Sequence, residues 1–98
     1  MLDMENPGDK NGFTPLHSAA HGGNLNVFKF IIDKVVDKNP ANTTGITPLH
    51  LAASKGHLDV CKFIINTIDD KQPRTSDGRT PLDLARRRNH VQVVAFLS

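Results

Sequence analysis

Five histidines, one cysteine and a run of three arginines are the residues of this chain best suited to chemistry. His17 and His21 are four apart, as are His57 and Cys61, a spacing that puts two side chains on one face of a helix. Two such ligands would begin a zinc site, but zinc asks for about four converging ligands, and one cysteine leaves the set short. Cys61 and Ser18 are the candidate nucleophiles. No G-x-S-x-G elbow, phosphate-cradling glycine loop or paired carboxylates accompany them. Arg86-Arg87-Arg88, joined by Arg74 and Arg79, offers a surface for anions: an acidic protein, nucleic acid or an anionic membrane surface.

Charge and composition narrow these options. The formal net charge is only +2, and it is uneven. Residues 1–41 sum to −1, residues 42–73 to 0 and residues 74–98 to +3, so the basic excess lies at the C-terminal end. The chain has no Trp or Tyr for base stacking and only a short basic cluster, which disfavours nucleic acid. No apolar run approaches the length of roughly 20 residues that spans a bilayer. The acidic, polar start MLDMENPGDK is no secretory signal. A single cysteine forms no internal disulfide and suits a reducing, intracellular compartment, cytoplasmic or nuclear.

The elements that must position these residues follow from a repeat. Thr14-Pro15-Leu16-His17 recurs as Thr47-Pro48-Leu49-His50 and as Thr80-Pro81-Leu82-Asp83, each step 33 residues. Lys10–Ala41 and Thr43–Arg74 share 17 identities in 32 positions. Each unit opens on a turn signal, Asn11-Gly12, Thr44-Gly45 or Asp77-Gly78, of a kind that suits tight turns with positive φ at both central residues. Thr then caps a helix that Pro starts. Asp83, three residues after Thr80, completes a capping box. Gly23, Gly56 and Asn89 end this first helix.

The second helix carries Leu25, Val27, Phe28, Phe30, Ile31 and Ile32, matched by Leu58, Val60, Cys61, Phe63, Ile64 and Ile65, then by Val91, Val93, Val94, Phe96 and Leu97. It is apolar around much of its circumference, which predicts a helix sandwiched between neighbours. Phe30, Phe63 and Phe96 are expected to form a buried ladder, each worth about 1.5–3 kcal/mol. Asn26, Asp59, Gln92, Lys29 and Lys62 mark the solvated stripe. Cys61 aligns with Phe28 and Val94, and Ser18 with Leu51 and Leu84, so both are read as packing positions, Cys61 as a buried, inert thiol.

The spaced Thr-Pro-Leu-His motifs resemble the ankyrin repeat, whose signature is T-P-L-H-x-A at a period of 33. Thr47-Pro48-Leu49-His50-Leu51-Ala52-Ala53 is most similar to it, while the third unit departs at Asp83 and Arg86. The resemblance implies an all-α solenoid of antiparallel helix pairs with projecting turn fingers. It implies hydrogen bonding within and between repeats for His17 and His50, no catalysis and no cofactor. Where the family usually has Gly-Ala, Val35-Val36 and Ile68-Asp69 stand; a β-branched residue is strained in a left-handed cap, so the second helix is expected to run a turn longer, to Pro40 and Pro73.

The expected organisation is one domain, 1–98: a remnant of a preceding repeat over 1–10, repeats over 11–41 and 42–74, and a C-terminal capping repeat over 75–98. Arg86, Arg87, Arg88 and Gln92 make the outer side of that last repeat polar. The N-terminal face, poorly covered, is expected to leave a monomer or a weakly self-associating chain. The resemblance implies a partner protein held on a concave face of fingers and first helices. By alignment to the family's variable positions the contact residues are Lys10, Asn11, Phe13, His21, Thr43, Thr44, Ile46, Ser54, Lys55, Ser76, Asp77, Arg79, Arg87 and Arg88. Phe13, Ile46 and Arg79 are equivalent, and apolar groups on projecting fingers suit contact anchors. The alternatives are a structural segment of a longer array and an anion-binding module built on the arginine cluster.

Overall fold

The computed structural model describes residues 11–68, 70 and 72–98, which form six helices and no strand. The helices are α1 (Pro15–Gly22), α2 (Leu25–Ile32), α3 (Pro48–Lys55), α4 (Leu58–Thr67), α5 (Pro81–Arg87) and α6 (Val91–Leu97). Proline stands at the first position of α1, α3 and α5, where a missing N–H leaves no bond unmade. Thr47 Oγ accepts from the His50 amide at 3.4 Å, and Thr80 Oγ from the Asp83 amide at 3.2 Å. At the third helical position the side chain reaches back to the threonine amide: His17 at 3.1 Å, His50 at 3.0 Å and Asp83 at 3.0 Å. The last turn of each inner helix closes on a left-handed residue, Gly23, Gly56 or Asn89.

Each helix of one row lies against its successor: α1 on α3 on α5. Alanine makes this close approach possible, with Ala20, Ala52, Ala53 and Ala85 wholly buried between Leu16 and Leu49 and their neighbours. The outer row, α2, α4 and α6, is built from larger residues such as Phe28, Ile31, Val60 and Ile64, and its helices touch one another far less. Tight inner spacing and wider outer spacing bend the stack toward the inner helices, over a molecule of 40 × 28 × 22 Å. Burial of Cys61, wholly enclosed in α4, pushes its thiol pKa up to about 12, with Asp59 adding to the rise, so the thiolate is suppressed.

Four sequence expectations are corrected. The buried ladder of Phe30, Phe63 and Phe96 is not found: Phe30 is 60% exposed, Phe96 37%, and Phe63 is half-buried. The residue that fills the core is Phe28, whose ring meets Phe63 edge-on at 6.0 Å. The outer rings carry lysines instead, with Lys29 over Phe63 at 5.5 Å and Lys62 over Phe96 at 6.0 Å, each reaching from one repeat to the next. Helix rotation explains the miss, since the core stripe passes through residues 28, 31, 32 and 35 and leaves residue 30 on the far side.

Ser18 is exposed, and its equivalents Leu51 and Leu84 are half-buried, so this position faces the concave side rather than the core. The second helix does not lengthen in the first repeat. It ends at Ile32, where Lys38 donates to the Ile32 carbonyl at 2.6 Å, and to Val35 O in the connection that follows at 3.2 Å. In the second repeat α4 runs to Thr67, after which Ile68 is extended. Neither Val35 nor Ile68 is left-handed, as the steric argument requires.

The turn class also differs from expectation. Of each central pair only the glycine has positive φ. Gly45 donates to Asn42 O at 3.0 Å and Asn42 to Ile46 O at 2.9 Å, a three-residue loop whose last member is left-handed. The residue before glycine is therefore free of the left-handed requirement, and Thr44 fits there.

Candidate functional site

The fingers are held by their own side chains. Asn42 Oδ1 accepts from the amides of Thr44 at 3.1 Å and Ile46 at 2.7 Å, filling the inside of the second finger. In the third, Thr75 Oγ accepts from the Arg79 amide at 3.0 Å and donates to Asp77. Neighbouring fingers are tied by backbone: Thr43 donates to Asn11 O at 3.0 Å and Ser76 to Thr44 O at 2.8 Å.

Buried histidines set where each finger stands relative to the helix behind it. His17 Nδ1 accepts from the Thr14 amide, so its Nε2 carries the proton and donates to Ile46 O at 2.7 Å. His50 repeats the arrangement one unit on, accepting from Thr47 and donating to Arg79 O at 3.0 Å. The resemblance's assignment of both rings to bonds within and between repeats is thus met. Phe13 packs edge-on against the His17 ring, with centroids 5.3 Å apart. The three equivalent finger residues, Phe13, Ile46 and Arg79, are each placed by one of these two imidazoles.

A second histidine row was not assigned from sequence. His57 Nε2 donates to His21 O at 3.1 Å, and His90 Nε2 to Ser54 O at 2.9 Å. These rings bond the last turn of the preceding inner helix, where carbonyls lack helical partners. The alignment of His57 with His90, each directly before an outer helix, carried the signal. Among the described residues, no three of His, Cys, Asp and Glu converge as metal ligands, and four of the five imidazoles bond carbonyl oxygens.

The concave side carries two grooves. One, of about 480 Å³, is lined by Phe13, His17, Ser18, His21 and Leu51. The other, of about 390 Å³, lies between the second and third fingers and is lined by Thr44, Ile46, Thr75, Ser76, Asp77, Arg79 and Leu84. The structure therefore gathers Phe13 and His21 in one place and Thr44, Ile46, Ser76, Asp77 and Arg79 in another. Asn11 and Thr43 are exposed and bonded to each other. Ser54 is half-buried and its carbonyl accepts from His90, while Lys55, Arg87 and Arg88 are exposed at the ends of the inner helices. Lys10 lies outside the described residues, as does the expected remnant over 1–10. Ser18, Leu51 and Leu84 are groove residues that sequence reasoning missed. Their variation within an otherwise repeated helix was the signal.

Asp77 forms an ion pair with Arg79 at 3.2 Å, both side chains exposed. Its carboxyl is held below the usual range by the Thr75 hydroxyl first, then by the charges of Arg79 and Arg87. A third groove, of about 670 Å³, lies at the N-terminal end against Phe13, Pro15, Ala19, Val27 and Ile31. No described helix is long and apolar enough to cross a membrane.

A search of curated proteins finds no match to the chain. A family model described as ankyrin repeats, in three copies, matches residues 1–73 and 35–98. The repeat spacing, the stacked helix pairs and this match agree, and the chain belongs to the ankyrin-repeat family.

Proposed function

We propose that this chain is a non-catalytic protein-binding module whose contact surface is the concave side formed by the fingers and by α1, α3 and α5. Ankyrin repeats generally mediate protein–protein interactions. The observation that carries the assignment of surface is the placement of Phe13, Ile46 and Arg79. They stand in one row along two grooves, Ile46 and Arg79 on backbone bonded by His17 and His50 and Phe13 with its ring packed on His17. A scaffold so held loses little freedom on binding, so contact energy is not spent on ordering loops. The units of the module are the repeats over 11–41, 42–74 and 75–98, in a reducing compartment that suits its one thiol.

The test is affinity capture from lysate with wild type and with Phe13→Ala/Ile46→Ala, each with and without nuclease. A discrete set of proteins, lost in the variant and indifferent to nuclease, is the expected result. Identical capture by both chains, abolished by nuclease, would overturn the assignment.

A further inference from the structure

We infer that the concave surface selects a peptide segment that combines aliphatic and acidic side chains, with its carboxylates lying over the third repeat. The inference rests on the concave-face reading above and adds the chemistry of the partner.

Each groove has an apolar floor made by one finger residue and one inner-helix residue: Phe13 with Leu51, and Ile46 with Leu84. Aliphatic or aromatic side chains fit such half-buried apolar surfaces. Charge on the same face runs one way. The ends of the inner helices present His21 and Gly22 in the first repeat, Ser54 and Lys55 in the second, and Arg87 and Arg88 in the third. In the finger row, Phe13 and Ile46 give way to Arg79. Asp77 is the one carboxylate among these finger and helix-end positions, and Thr75 and Arg79 already engage it. The other described acidic residues sit elsewhere. Asp33, Asp37, Asp59 and Asp70 belong to the outer helices and the connections after them, and Asp83 is turned back onto the Thr80 amide. Beside the second groove, Arg79 lines the wall in an ion pair with Asp77, Arg87 lies near enough to act on the same carboxylate, and Arg87 and Arg88 are exposed, so two cations face one acidic group there. Planar guanidinium groups at such a rim favour carboxylates in bidentate geometry. The chain has no Trp or Tyr, and each groove is floored by one finger residue and one leucine rather than by a row of rings on which successive bases could stack, so a polypeptide is favoured over a nucleic acid.

The test is selection of a random displayed peptide library on the purified chain, followed by affinity measurement of the enriched peptides against two variants. Enriched sequences are expected to pair Asp or Glu with Leu, Ile or Phe. Arg87→Glu/Arg88→Glu should weaken them about tenfold or more, and exchanging their acidic residues for Lys should restore binding to that variant. Phe13→Ala/Ile46→Ala should weaken them independently. Peptides that need Phe13 and Ile46 but ignore the arginine reversal would overturn the acidic-partner inference and leave the concave-face reading standing. Peptides indifferent to both variants, or no enrichment at all, would overturn both. Equal arginine-dependent binding of a single-stranded oligonucleotide would overturn the choice of polypeptide.

Discussion

At the scale of single residues, His50 joins stability to the site. Its ring is wholly buried, accepts from the Thr47 amide and donates to Arg79 O. Replacing it with alanine strands two backbone groups, and His50→Ala should cost about 2–4 kcal/mol in urea denaturation. Burial, the main cause, lowers its pKa below the ordinary value of 6.5. The unfolded chain therefore binds the proton more readily than the folded one. The stability contributed by neutral His50 is complete above pH 6.5 and is lost as pH falls below it toward the folded pKa. The urea midpoint should drop as the pH falls from about 6.5 to about 5, and His50→Gln should flatten that drop. A variant with the wild-type pH slope would contradict the assignment. The role of His50 was legible through the resemblance, which assigns the repeat histidine to bonds within and between repeats. Its exact acceptor was not, since Arg79 lies in the next unit and only the stack brings them together.

At the scale of elements, the outer helices show where periodicity misleads. Residues 27, 28, 30, 31 and 32 of α2 are all apolar, so hydrophobicity alone does not say which face is core. The geometry separates Phe28, wholly buried, from Phe30, largely exposed. Phe28→Ala should lower stability by about 3–5 kcal/mol, and Phe30→Ala by less than about 1 kcal/mol, measured by chemical denaturation. Equal losses would mean that Phe30 is packed.

The inner helices end on another clear contrast. Gly56 has φ 76° and a Cβ there would stand 2.5 Å from His90 Nδ1, whereas a Cβ on Gly22 meets nothing within 4 Å. Gly56→Ala should destabilise by about 1–3 kcal/mol, while Gly22→Ala should be neutral or stabilise by up to about 1 kcal/mol. Thermal midpoints for the two variants check this. The left-handed ends could be read from glycine and asparagine at a fixed spacing. The ring that crowds Gly56 could not, because it arrives from the following repeat.

At the scale of the whole molecule, curvature decides which surface is available. Alanines bring the inner helices together, the outer helices spread, and the fingers and inner helices share one concave side. The architecture was legible in the period of 33 and its capping residues. The candidate contact positions were legible only as alignment positions. The two grooves required the stack, because each joins a finger to an inner-helix residue, and the second joins Ile46 to Leu84 across repeats.

The central claim, that partners are held on this concave side, is tested most directly by site-specific photocrosslinking in lysate. A photoreactive residue would replace Ile46 or Arg79 on the fingers, or Phe30 or Lys62 on the outer helices. Discrete protein adducts from positions 46 and 79, with none from 30 and 62, are the predicted result. Adducts formed from the outer helices and absent from the fingers would contradict it.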